Sequence, residues 1–135
     1  MNPAEPAKPD ALASMIIRPP RNTYEASFYP KDEYSYGGVT IRKEEFTILD
    51  HRGLKMPAIY FKVEKATSTV VYLHGNAGNK WEGSFYFRDI CSRGINLLCY
   101  DASGCGNSEG DCLTLGWREA NDLALIVDHL VEDHC

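Results

Sequence analysis

The stretch His74-Gly75-Asn76-Ala77-Gly78 has the residue types needed to bind a negative oxygen. It follows directly on Thr69-Val70-Val71-Tyr72-Leu73, a run apolar almost throughout, which reads as a strand buried on both faces. In open α/β sheets, ligands bind beyond the carboxyl ends of such strands. Gly75 and Gly78 permit tight turns and close backbone approach. A helix starting nearby adds free N–H groups and the positive end of its dipole. A loop of this kind presents a backbone N–H to a developing oxyanion. The Asn76 N–H is the candidate donor, framed by His74, Gly75, Ala77 and Gly78. His74 is expected to brace the loop rather than act as a base. A phosphate cradle is the other use of a Gly-rich strand-to-helix loop. Lys80 stands outside the G-x-x-x-x-G-K-[ST] frame, which favours the oxyanion reading.

A second motif invites a nucleophile assignment and fails it. Gly106-Asn107-Ser108-Glu109-Gly110 satisfies G-x-S-x-G. In a nucleophile elbow, however, the strand runs straight into the serine, which sits on a strained turn into a helix. Here the strand ends near Tyr100-Asp101, and an acidic loop (Glu109, Gly110, Asp111) parts Ser108 from the next helix. The structural reading is preferred: Asp101, Gly104, Gly106 and Ser108 shape a turn-rich loop in which side chains satisfy backbone donors. A dinucleotide fingerprint beginning at Gly104-Cys105-Gly106 fails too, because Glu109 stands where glycine is required.

No triad is legible in the chain. A catalytic histidine must reach a nucleophile and be oriented by an acid. His51 falls in a hairpin turn, His74 in the oxyanion loop, and His129 and His134 on or after the last helix. Cys105 and Cys112 lie in the Gly-rich loop without a neighbouring base and read as bystanders. The five cysteines, Cys91, Cys99, Cys105, Cys112 and Cys135, are odd in number and lack CxxC spacing. Neither a disulfide framework nor a metal site is expected, and no cofactor.

The elements that must position these residues follow from periodicity. Residues 1–42 read as a Pro-rich N-terminal arm, punctuated by Pro3, Pro6, Pro9, Pro19, Pro20 and Pro30. Its Ile16, Ile17 and Tyr24, Phe28, Tyr29, Tyr34 and Tyr36 are candidates for docking on the domain. Glu45–Leu49 and Ala58–Val63 predict antiparallel strands around the polar turn Asp50-His51-Arg52-Gly53. Asn79 with Glu82 three residues on predicts a capping box. The helix it opens should run to Gly94, with Trp81/Phe85, Tyr86/Ile90 and Phe87/Cys91 as same-face pairs. Ile95–Tyr100 is another apolar strand. Leu115–Glu132 predicts a helix with a stripe of Trp117, Ala120, Leu123, Ala124, Val127, Leu130 and Val131. The order is a β-hairpin followed by strand–helix–strand–helix, an α/β arrangement with a parallel sheet and right-handed crossovers.

Composition narrows the class. The chain has 135 residues, 44% hydrophobic and 24% charged, the make-up of a folded domain. A net charge of −5 speaks against nucleic acid as a partner. No apolar run reaches the ~20 residues of a membrane span, and MNPAEPAKPD has no secretory signal pattern. A cytoplasmic protein with free thiols is expected.

Taken together, VVYLHGNAGN, NLLCYDASGCGNSEGD and LTLGWREANDLALIVDHL resemble the front half of an α/β-hydrolase, closest to the serine-aminopeptidase-like group of plants and protists. The leader IIRPPRNTYE is similar to the segment that precedes the fold in that group. The resemblance implies that residues 43–135 are a partial α/β-hydrolase domain, ending before the nucleophile elbow. It implies an oxyanion role for Asn76, and a catalytic triad beyond Cys135. It implies a small-molecule or acylated substrate, with esters, thioesters or amides hydrolysed through an acyl-enzyme. It also implies that the Thr69–Leu73 strand lacks its next neighbour, leaving an apolar edge. A non-catalytic binding or regulatory α/β module is the alternative.

Overall fold

The structure is a computed structural model that describes residues 10–133. Pro3, Pro6, Pro9, His134 and Cys135, named above, lie outside the described residues.

Asp10 opens helix α1 (Ala11–Ile17) by accepting the Ala13 N–H at 2.7 Å on Oδ1. The helix buries none of its residues, and Leu12, Met15 and Ile16 face solvent. The expected docking of the leader falls instead to Tyr24, Tyr29 and Tyr34, which pack on the core, while Phe28 and Tyr36 stay exposed.

The sheet begins earlier than the pattern predicts. Strand β1 (Glu33–Tyr36) pairs antiparallel with β2 (Val39–Leu49) through a Gly37-Gly38 turn. Both glycines have positive φ, 58° and 75°, as a two-residue hairpin turn requires. An arm ending at residue 42 therefore cuts β2. Strand β3 (Lys55–Val63) pairs back on β2 from Leu49↔Lys55 to Ile41↔Val63, as expected. Asp50 closes that turn: its carboxylate accepts the N–H groups of Arg52 and Leu54 and the Arg52 side chain.

Strands β4 (Thr69–Tyr72) and β5 (Asn96–Tyr100) pair parallel, but β5 also lies antiparallel to β3, so the sheet is mixed, in the order β1-β2-β3-β5-β4. This corrects the burial expected of the Thr69–Leu73 run. The strand buried throughout is β5, between two neighbours. Strand β4 is at the edge, and Val70 and Leu73 are exposed.

The helix expected from Asn79 to Gly94 is broken into α2 (Trp81–Ser84) and α3 (Phe87–Cys91). Gly83 lies where an added Cβ would come within 2.2 Å of the Tyr72 ring, so close approach to β4 demands the residue with the poorest helix propensity short of proline. Ser84 Oγ also donates to the Trp81 carbonyl at 2.8 Å. Of the predicted same-face pairs, Trp81, Phe87 and Cys91 are buried, but Phe85 and Tyr86 are exposed.

Helix α4 (Glu119–Asp133) starts four residues later than predicted. Its buried residues are Asp122, Ile126 and Leu130, so of the expected stripe only Leu130 is buried. His129 stacks on Phe46 of β2 and Asp133 pairs with Lys62 of β3. Val127 and Val131 are exposed. Apolar packing fills both faces of the sheet: Ile41, Ile59, Phe61, Leu97 and Cys99 meet Trp81 and Phe87 on one. On the other, Met56, Ala58, Tyr60 and Leu98 meet Ile126 and Leu130.

Candidate oxyanion site

The loops following β4 and β5 meet at the carboxyl ends of the two parallel strands. The first is a turn closed by the Gly78 N–H donating to the Gly75 carbonyl at 2.9 Å. Ala77, its third residue, has φ of 60°, a left-handed conformation that costs a non-glycine residue about 1 kcal/mol or more. Gly78 has no room for a side chain, since a Cβ would lie 2.5 Å from Glu82 Oε2 and 3.0 Å from the Gly75 carbonyl.

Two backbone donors of this loop are committed within it. The Gly75 N–H is taken by the Glu82 carboxylate, 3.2 Å from either oxygen. The Ala77 backbone N–H acts on the Cys105 thiol, partly offsetting the rise that burial causes. The Gly78 N–H is held by Gly75. Among the described residues, no acceptor takes the Asn76 N–H, and Asn76 is exposed. Glu82 is thus part of the loop's frame rather than of a capping box. Asn79 still caps its helix, accepting the Trp81 N–H at 3.0 Å on Oδ1, while Glu82 reaches back to Gly75 and to the Tyr72 hydroxyl at 3.0 Å.

The His74 imidazole bridges the two loops. Nδ1 lies 2.8 Å from the Gly75 carbonyl and Nε2 lies 3.1 Å from the Ala102 N–H. A carbonyl only accepts and an N–H only donates, so the ring is neutral with its proton on Nδ1. Both nitrogens are committed, and neither is available as a base.

The second loop is organised by Asp101, which is wholly buried. Its carboxylate accepts the Lys80 N–H at 2.6 Å, the Tyr24 hydroxyl at 2.5 Å and the Asn107 N–H at 3.0 Å. Burial, together with the Asp101 carboxylate, drives the Tyr24 phenol far above its ordinary range. Gly106 follows from this arrangement, because a Cβ there would be 2.5 Å from the Asp101 carboxyl carbon. Gly104 likewise lies against the Cys112 backbone, with φ of 86°. Ser108 Oγ donates to the carbonyl of Ala102 or Cys105 and accepts the Cys105 N–H. It is buried and committed to the loop. The leader straps the same loop: Arg21 donates to the carbonyls of Ser108 and Gly110, and Asn107 exchanges hydrogen bonds with the Tyr24 backbone.

Between the loops and the start of α4 lies an open pocket of about 170 Å³, walled chiefly by Leu73, Tyr100, Ala102, Cys105, Leu113 and Leu115. Asn76 and His74 stand at one side of it and Glu119 at another. Burial would raise the Glu119 carboxyl, but hydrogen bonds from Thr114 and Gly116 hold it below its ordinary value.

Solved structures share this fold over part of their length. The chain is similar to the esterase Pf2001 of Pyrococcus furiosus, with a TM-score of 0.66 and 24% identity over 87% of this chain and 41% of the esterase. A second crystal form of that esterase gives 0.65 and 24%, over 84% and 43%. The two share a fold. It is a hydrolase-like α/β fold, and the mixed five-stranded sheet is part of it. The chain is also 32% identical over 96 residues to the uncharacterized protein YfhR of Salmonella typhi and to that of Salmonella typhimurium. It spans about a third of the length of these curated relatives, 32% in each case. No family model matches.

The remaining nucleophiles and histidines are separated from one another. His51 sits in the β2–β3 turn and His129 against Phe46. Among the described residues, no histidine is hydrogen-bonded to a serine or cysteine. Burial pushes the Cys91 thiol up to about 11 and the Cys99 thiol up to about 12, and raises Cys105 as well. No helix among the described residues is long and apolar enough to cross a membrane.

Proposed function

We propose that this chain is the oxyanion-bearing part of a serine hydrolase, one that cleaves esters, thioesters or amides through an acyl-enzyme. The nucleophile, acid and base lie outside residues 1–135. The observation that carries the reading is the state of the loop after β4. The Gly75 and Gly78 N–H groups are consumed internally, and that of Asn76 is left facing solvent at a pocket wall. A single preorganised N–H at the end of a parallel strand is what tetrahedral-intermediate stabilisation needs. A phosphate cradle needs several N–H groups converging, and Gly75 and Gly78 have none to give. The hydrolase-like fold and the esterase likeness support the reaction class. The serine-aminopeptidase-like leader, read from IIRPPRNTYE, supports the finer placement, and Asp101, Gly104, Gly106 and Ser108 serve as structural residues of the second loop.

The test uses the endogenous protein. It is captured with an antibody against the Asp101–Asp111 loop, treated with a fluorophosphonate probe and mapped by peptide mass. The expected result is a phosphonylated serine on a peptide outside residues 1–135, with Ser108 unmodified. Absence of any label favours a non-catalytic α/β module, and a label on Ser108 overturns the assignment of roles.

A further inference from the structure

We infer that Glu82 is a positioning residue of the proposed hydrolase: from helix α2 it fixes the peptide plane before Gly75, and with it the direction in which the Asn76 N–H faces. The inference rests on the oxyanion reading of Asn76. Gly75 has no side chain to restrict rotation about its two backbone bonds. The donor one residue on keeps its direction only if the peptide planes on either side of Gly75 are held from outside.

The plane after Gly75 is held by its carbonyl, which accepts the Gly78 N–H at 2.9 Å and the His74 ring N–H at 2.8 Å. The peptide bond is planar and trans, so the Asn76 N–H points away from those two donors. The plane before Gly75 is held by its N–H, 3.2 Å from each oxygen of the Glu82 carboxylate. Glu82 is itself anchored to the end of β4, because Oε1 accepts the Tyr72 hydroxyl at 3.0 Å. That bond is the main cause of the raised Tyr72 phenol. Contact completes the bracket: a Cβ on Gly78 would lie 2.5 Å from Oε2, and one on Gly75 would lie 3.7 Å from Oε1. The carboxylate therefore fills the space between the two glycines. Glu82 does not line the pocket beside Asn76, so it acts on the reaction only through Gly75.

The test compares Glu82→Ala, Glu82→Gln and Tyr72→Phe in ester kinetics on the complete enzyme and in ¹H–¹⁵N NMR spectra of the 135-residue chain. Glu82→Ala frees the Gly75 N–H. Its kcat should fall about tenfold with KM little changed, a smaller loss than deletion of the donor itself. Glu82→Gln keeps an oxygen for the Gly75 N–H and an amide N–H for the Tyr72 oxygen, so it should recover most of that loss. Tyr72→Phe leaves Glu82 without its anchor and should fall between the two. In Glu82→Ala the Gly75 amide should exchange faster with solvent and the Asn76 resonance should broaden. The rest of the spectrum should stay in place, because Glu82 is exposed. Full kcat in Glu82→Ala, an equal fall in Glu82→Gln, or unchanged Gly75 exchange overturns the positioning role. If Asn76→Pro collapses kcat while Glu82→Ala does not, that role falls alone and the oxyanion reading stands. If Asn76→Pro keeps full activity, the oxyanion reading falls and the inference falls with it.

Discussion

The Ala102 N–H donates to His74 Nε2 at 3.1 Å, so one imidazole ties the loop after β4 to the loop after β5. The same ring donates from Nδ1 to Gly75. A side chain that the motif makes look catalytic is thereby a strut between the two parallel strands' ends. His74→Leu leaves the Ala102 N–H and the Gly75 carbonyl without it. The expected loss is about 1–3 kcal/mol of stability by urea denaturation. His74→Gln, which can restore one bond, should recover part of it.

Asp101 joins more of the molecule than any other carboxylate near the site. It receives the start of α2 through Lys80, the leader through Tyr24 and its own loop through Asn107. Asp101→Asn removes the charge from all of these bonds and turns an amide against donors. A destabilisation of about 3 kcal/mol or more is expected. Tyr24→Phe deletes one bond and should cost about 1–2 kcal/mol. In Tyr24→Phe, limited proteolysis should cut the leader near Arg21 sooner, because the strap is loosened.

Two buried aspartates meet at Ser103 and respond to acid in opposite senses. Ser103 Oγ donates to Asp50 and its N–H to Asp122, each at 3.3 Å. Burial raises the Asp50 carboxyl, but hydrogen bonds from Leu54 and Arg52 outweigh it and hold the group below its ordinary value. Its contribution is therefore complete above the unfolded value of about 3.9 and is lost as pH falls through the folded value. Asp122 is raised, by burial first and by the Asp50 charge as well. Its contribution is present below the unfolded value and is lost as pH rises through the folded one. Asp122→Asn should stabilise the fold at neutral pH, and Asp50→Asn should destabilise it there and flatten the acid limb. Thermal melts between pH 3 and 7 check both signs.

Association between chains is expected at the open edge of β4. Val70 and Leu73 are exposed at the end of the sheet, and Val127 and Val131 on α4. Unpaired strand edges of this kind template association between chains. Val70→Lys combined with Val127→Glu should raise the concentration at which light scattering departs from monomer by about tenfold, a shift of the size that edge charges are used to produce. No change would place the association elsewhere.

What was legible in the sequence was local. The alternation of Ala58–Val63, the Asp50–Gly53 turn and the loop His74–Gly78 each declare themselves within a few residues. The loop's internal account was not legible, because Glu82, Cys105 and Ala102 reach it only through the fold. The Tyr24–Asp101 bond spans 77 positions and no periodicity announces it. The helix break at Phe85–Tyr86 follows from Gly83 pressing on Tyr72, a contact between elements. Of the apolar stripe on α4 only Leu130 meets the sheet, because Ile126 and the polar Asp122 turn the buried face while Val127 and Val131 stay exposed. Gly37-Gly38 was the one readable signal passed over, hidden among prolines and tyrosines that suggested a leader without strands.

In the proposed hydrolase the Asn76 backbone, rather than its side chain, binds the oxyanion. Asn76 occupies the second position of the turn closed by Gly75 and Gly78, a place that proline tolerates. Kinetics on an ester substrate, measured on the complete enzyme, separate the two possibilities. Asn76→Pro removes the N–H and should lower kcat by about 10²–10³ with KM little changed, while Asn76→Ala keeps the N–H and should stay within a few-fold of the parent. Equal losses in the two variants, or full activity in Asn76→Pro, would contradict the account.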